Sequence, residues 1–368
     1  MAAALRAIGL HRPQTVPSRW PALLAAALVL VPLAGATSLA AMAGLDGAAW
    51  QALLGDPQWS RALAMTMWTG LLSTAVSVLA SAWLLSRVFP RPAWARLTRW
   101  LAPMLAVPHA AFAIGLAFLL APSGWLLRML SPWATGLDAP PDWPTTQDPW
   151  GLGLMAVLVC KEVPFLLWAA ATHMQRVDVR ERWTREHALA RSMGYSATQA
   201  WWQVIWPQLW PRLSGPLVAV LAYSLTVVDM ALVIGPTSPP TLSVLAWQWL
   251  QDGDPVMNAQ GVAAGWLLAG TVGLAALGAW GLSRATQVGH SPPSGRRATG
   301  AAPAAVARHW TPASLVIVYA AVMGALAVGS VAGVWPFPQV WPTHWSLQAW
   351  QSVGASSRTL WTTLWLAG

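Results

Sequence analysis

The sequence predicts an all-α, polytopic transmembrane helical bundle of about seven complete spans and the start of an eighth. Three observations carry this. Apolar residues make up 56% of the chain and charged residues only 9%, against roughly 25% charged in soluble domains. Apolar runs long enough to cross a bilayer recur along the chain. The arginines concentrate in every second loop between those runs.

The spans are expected at 20–42, 61–85, 100–121, 151–174, 213–235, 260–282 and 312–334, with an eighth starting near 358. Arg6, Arg12 and Arg19 precede the first. Arg87, Arg91, Arg96 and Arg99 follow the second, and Arg176, Arg180, Arg182, Arg185, Arg191 and Arg212 follow the fourth. Arg284, Arg296, Arg297 and Arg308 follow the sixth. The intervening loops hold Asp46 and Asp56, then Arg128 with Asp138, Asp142 and Asp148, then Asp252 and Asp254. Loops rich in arginine stay cytoplasmic, so segment 1–19 and the long loop 176–212 are expected on that side. The first apolar run is long, and its removal would reverse the pattern. It is therefore expected to be an anchor and not a cleaved signal peptide.

The formal charge of +9 is in this light a topology signal, and no nucleic-acid partner is expected. The single cysteine, Cys160, lies inside a span, so no disulfide framework can form. Lys161 is the only lysine and is followed by Glu162, which rules out the Gly-Lys-Ser/Thr of a phosphate-binding loop. The histidines lack metal-ligand spacing; His109 and His173, in or near spans, are expected to be satisfied locally. No metal site and no cofactor is expected.

Two segments resemble one another. Ala49-Trp50-Gln51 leads to Arg61-Ala62-Leu63, and Ala349-Trp350-Gln351 leads to Arg358-Thr359-Leu360, each after an isolated span. Such repeats fit a transporter built from two like halves. The expected division is a first half over 20–283 with six spans, a flexible connector over 284–311, and the start of a second half over 312–368. The last apolar run stops at Gly368, too short to satisfy its backbone in lipid, so the chain reads as an N-terminal fragment of a longer protein or a truncated gene product.

A loop of about 35 residues is long for a mere connection. Thr184 is expected to cap a helix over 185–193, and Gly194 to end it with a positive φ. Ser196 and Gln199 have the spacing of a capping box for a second helix. Pro207 and Pro211 should keep that helix from running regularly into the fifth span. Trp201, Trp202, Trp206 and Trp210 are expected at interfacial depth.

This loop resembles the EAA loop of ABC-importer permeases, which reads Glu-Ala-Ala, three residues, Gly, nine residues, then Ile-x-Leu-Pro. Gly194 falls on the family glycine, Ala190 on the second alanine, Val204 on the isoleucine and Pro207 on the proline. Ala188 stands in place of the family glutamate and Leu189 in place of the first alanine, while Glu186 is the nearest carboxylate after Arg185. Lys161-Glu162-Val163-Pro164-Phe165, Val228-Asp229-Met230-Ala231 and the run from Gly235 to Leu242 are similar to the fused permeases of thiamine, ferric-iron or polyamine-type uptake. The resemblance implies a type I permease fold in a bacterial inner membrane. It also implies a separate ATPase docking on Arg185–Pro207, a periplasmic substrate-binding protein, a second permease half or subunit, and no enzymatic chemistry in this chain.

Lys161, Glu162 and Asp229 fall within or near spans, where charges face the bundle interior and take partners. Lys161 is expected to pair with Asp229 across the fourth and fifth spans, either locking helices or lining a pathway. Pro164 is expected to break its helix and free carbonyls there. Two other readings of these charges stay open: a proton-coupled secondary transporter, and a membrane-embedded enzyme using Lys161, Glu162 or Asp229.

Overall fold

The computed structural model describes residues 20–90, 92–288 and 307–367. Among these there is no strand, only an isolated antiparallel bridge between Ala332 and Trp345. The chain begins with α1 (Trp20–Ala43), short α2 (Gly47–Gly55) and α3 (Trp59–Val88), followed by α4 (Pro92–Ala106), α5 (His109–Leu120) and α6 (Trp125–Leu130). A long connection leads to α7 (Leu152–Met174) and α8 (Val177–Ser192). Then come α9 (Ala197–Ala200), a π-turn over Trp201–Ile205, α10 (Trp206–Leu209) and a 3-10 turn over Trp210–Leu213. The remaining helices are α11 (Ser214–Thr226), α12 (Asp229–Ile234), α13 (Leu242–Leu250), α14 (Pro255–Val288), α15 (Ala307–Ser330), α16 (Gln348–Ala355) and α17 (Ser357–Ala367).

Six helical stretches among the described residues are long and apolar enough to cross a membrane: 23–43, 59–88, 109–130, 152–174, 255–281 and 313–330. The fifth expected span, at 213–235, is instead two helices. The β-branched run Thr226-Val227-Val228 disfavours helix, and Val227 turns extended (φ −61°, ψ 133°). Its carbonyl is not orphaned, because the Ser243 hydroxyl donates to it at 2.8 Å. The stretch expected at 100–121 is broken in the same way at Val107-Pro108, since the residue before a proline is pushed out of the helical region. Segment 284–288 of the expected connector continues α14, and 289–306 lies outside the described residues.

Small residues set how closely the helices approach. Thr66, Thr69, Gly70, Ser73, Ser77 and Ser81 form one buried stripe on α3. A Cβ on Gly70 would come within 2.6 Å of Leu225 in α11. On α5, a Cβ on Gly115 would meet the Val322 carbonyl of α15 at 2.6 Å, and the Phe112 and Tyr319 rings lie 4.6 Å apart beside it. Between apolar helices in lipid, such close packing is a main source of association. Gly115→Val must therefore prise α15 from α5, and overpacking of this kind costs about 1–3 kcal/mol. The expected result is a lower thermal unfolding midpoint in detergent, with Gly35→Val, which meets open space, as the unaffected control.

At the end of the bundle opposite α8, Arg128 is buried in a nest of carbonyls. Its Nε donates to Ser123 O (2.7 Å), Nη1 to Pro336 O and Gln339 O (2.8 and 3.1 Å), and Nη2 to Trp335 O (3.0 Å). The Trp335 ring lies under the guanidinium at 4.6 Å. Trp125 Nε1 adds a bond to Val340 O at 3.1 Å. The loop after α15 is thus tied to α6. By contrast, every side chain of α1 from Leu23 to Met42 is exposed.

Candidate functional site

The arginine-rich end of the bundle carries the element built from α8, α9 and the irregular helix to Leu213. Helix α8 starts at Val177, not at 185, and Thr184 lies in its interior. Asp178 in its first turn complements the helix dipole, and Trp183, His187 and Ala190 at successive turns are buried, so the amphipathic face extends a helix the capping signal alone would have started later. Gly194 has φ +91°. Gly194 N donates to Arg191 O and Tyr195 N to Ala190 O, closing the helix. Ser196 Oγ accepts from Gln199 N at 3.1 Å while Ser196 N donates to Gln199 Oε1 at 3.0 Å, which completes the capping box.

Pro207 has no N–H to give to Gln203, and its ring would clash with that carbonyl. The chain responds with the π-turn, in which Trp206 N reaches back to Trp201 O; such turns mark inserted or strained helix registers. The tryptophans do not all lie at an interface as expected. Trp201 is fully buried, with Phe89 at 5.8 Å, and Trp202, Trp206 and Trp210 follow it in a ladder of ring contacts.

The outward face of this element presents Arg185, Ala188, Leu189, Arg191, Met193 and Gly194, with Leu189 63% and Met193 55% exposed. Ala190 is buried, and Ser196, Val204 and Pro207 are half-buried. Glu186 turns inward: it accepts from Gln208 Nε2 at 2.8 Å and lies 3.6 Å from Arg182 Nε. Gln208 and Trp183 are functional candidates that the sequence reading missed. A lone amide in the tryptophan- and proline-rich run Trp206–Trp210 was the available signal.

The second cluster gathers at the two helix breaks. Lys161 does not pair with Asp229. Its Nζ donates to Met104 O (3.3 Å) and Val107 O (2.8 Å), the carbonyls released where α4 ends. A cation at a helix C-terminus is favourably placed, so the break consumes the charge expected for Asp229. Pro164 does not break α7, which runs through it. It does free the carbonyl one turn back, and Tyr319 donates to that Cys160 O at 3.0 Å. Asp229 is exposed at the start of α12 and lies 3.4 Å from the Tyr223 hydroxyl. The Tyr223 ring lies 4.9 Å from His109. Glu162 is 5% exposed beside Lys161. Asp229, Tyr223 and His109 thus meet, and Lys161 is satisfied elsewhere. Among the described residues no group of side chains could hold a metal ion.

No family model matches the chain. Over 200 residues it is 36% identical to the inner membrane ABC transporter permease protein YnjC of Escherichia coli (strain K12). The chain is a homologue of an ABC transporter permease. The alignment covers 54% of this chain, which spans 35% of its permease relative. The apolar helices described above and this likeness together support a multi-pass inner-membrane protein.

Proposed function

We propose that this chain is a permease component of an ATP-driven importer and takes its driving force from a separate ATPase docked on the outward face of α8. The observation that carries the reading is the Gly194 turn, which holds Leu189 and Met193 out into solvent at the arginine-rich end. Exposed apolar side chains ringed by arginines suit a protein partner, and an arginine-rich end favours the cytoplasmic side. The pathway runs along the face bearing Asp229, Tyr223 and His109. A charge within a span is costly against lipid and faces water or protein instead, so the exposed Asp229 is to be covered by a second permease half. A periplasmic binding protein delivers the solute to the opposite end.

The test is affinity purification of the tagged protein from native membranes in mild detergent. An ATPase subunit, recognised by its phosphate-binding loop in mass spectrometry, is the expected companion. Recovery of the intact chain without one, across detergents that preserve other such complexes, defeats the reading.

A further inference from the structure

We propose that Gln208 is the positioning residue of the docking element, a two-way clamp that fixes α8 against the helix leading to the pathway. This rests on the docking reading above. Gln208 sits in α10, and three side chains from one turn of α8 converge on it. Its Oε1 accepts from Trp183 Nε1 at 3.0 Å and from Arg182 Nη2 at 3.2 Å. Its Nε2 donates to Glu186 Oε2 at 2.8 Å and to its own helix at Val204 O, also 2.8 Å. The partners fix the amide's orientation, because an indole and a guanidinium only donate while a carboxylate and a carbonyl only accept. An amide alone among side chains of this size serves both sets at once.

The clamp's place in the chain gives it a role beyond holding two helices together. Downstream of Gln208 the chain runs through the 3-10 turn into α11, which ends at the break just before Asp229. Upstream, the α8 turn that grips Gln208 lies one to two turns from Leu189 and Met193, on the outward face. A displacement of α8 by a bound ATPase reaches α11 through Gln208. Without the clamp, α8 can be held by its partner while α11 stays where it was.

The prediction is an exchange that a single substitution cannot mimic. Gln208→Glu sets a carboxylate against Glu186 and repels it. Glu186→Gln with Gln208→Glu restores the bond to α8 with donor and acceptor reversed, the new carboxylate accepts from Trp183 and Arg182, and only the bond within the same helix to Val204 O is lost. Spin labels at Arg180→Cys on α8, outside the docking face, and Thr226→Cys at the end of α11, in a Cys160→Ala background, report the spacing between the two. The readouts are this distance and the amount of ATPase complex trapped with ADP-vanadate.

Unsubstituted Glu186 and Gln208 should give one narrow distance that moves on trapping. Gln208→Glu should keep the ATPase bound yet lower the trapped state about tenfold, as losing roughly one charge-assisted hydrogen bond would, with a distance that broadens and no longer moves. The double variant should recover both readouts. If Gln208→Glu behaves like the parent, or the double variant behaves like Gln208→Glu, the clamp is overturned while docking stands. If the parent binds no ATPase, the docking reading falls and takes the positioning role with it.

Discussion

Gly194→Arg is expected to remove the proposed ATPase from the purified complex while the protein still accumulates in the membrane. Two effects combine. At φ +91° a side chain other than glycine's costs about 1–2 kcal/mol, and the turn relaxes toward ordinary helix. The arginine also projects from the tip beside Met193, where the partner is to sit. The spans that carry insertion lie elsewhere, so yield in the membrane fraction should match the parent. Co-purification followed by quantitative mass spectrometry checks it. Gly194→Asn separates the two effects, since asparagine tolerates the left-handed region; it is expected to retain most of the ATPase. Equal retention by Gly194→Arg would show that the partner does not touch this turn.

Lys161→Met is expected to be the most damaging substitution within the spans. Met104 O and Val107 O have lost their helical partners at the break, and Lys161 replaces them. The ammonium also offsets the neighbouring Glu162, which is almost completely buried. Removing one member of a buried charged arrangement costs about 3–5 kcal/mol. Circular dichroism melts in detergent should show a large fall in the unfolding midpoint. Lys161→Arg keeps the charge but must fit a larger head between two carbonyls, and should fall between the parent and Lys161→Met. An unchanged melt for Lys161→Met would mean that water satisfies those carbonyls and that the break is not held by this side chain.

The long helices were legible because each apolar run is near the bilayer's thickness. The Gly194 turn and the Ser196–Gln199 box were legible because both are local chemistry, decided within four residues. The breaks were less so. Val107-Pro108 and Val227-Val228 sit inside apolar runs, and hydropathy is blind to backbone direction. The error at Lys161 has the same root: its partners are carbonyls, which every residue owns, so a search for an opposite charge led to Asp229. The amphipathic pattern that starts α8 at Val177 was present in Trp183, His187 and Ala190, but Thr184 offered a competing start. Gln208 needed the fold, since its partners lie 22 to 26 residues away.

The Arg128 nest decides which parts can travel together. Helix α15 is fastened to the first bundle twice, along its length at Gly115 and Phe112 and at its far end through Arg128 and Trp125. It therefore rides as cargo of that bundle, even though the repeated sequence assigns it to the next. A second half of the kind proposed above would have its pivot beyond Ser346, whose backbone N–H is still bonded to Val331 O, so the first stretch free to bend is the approach to α16.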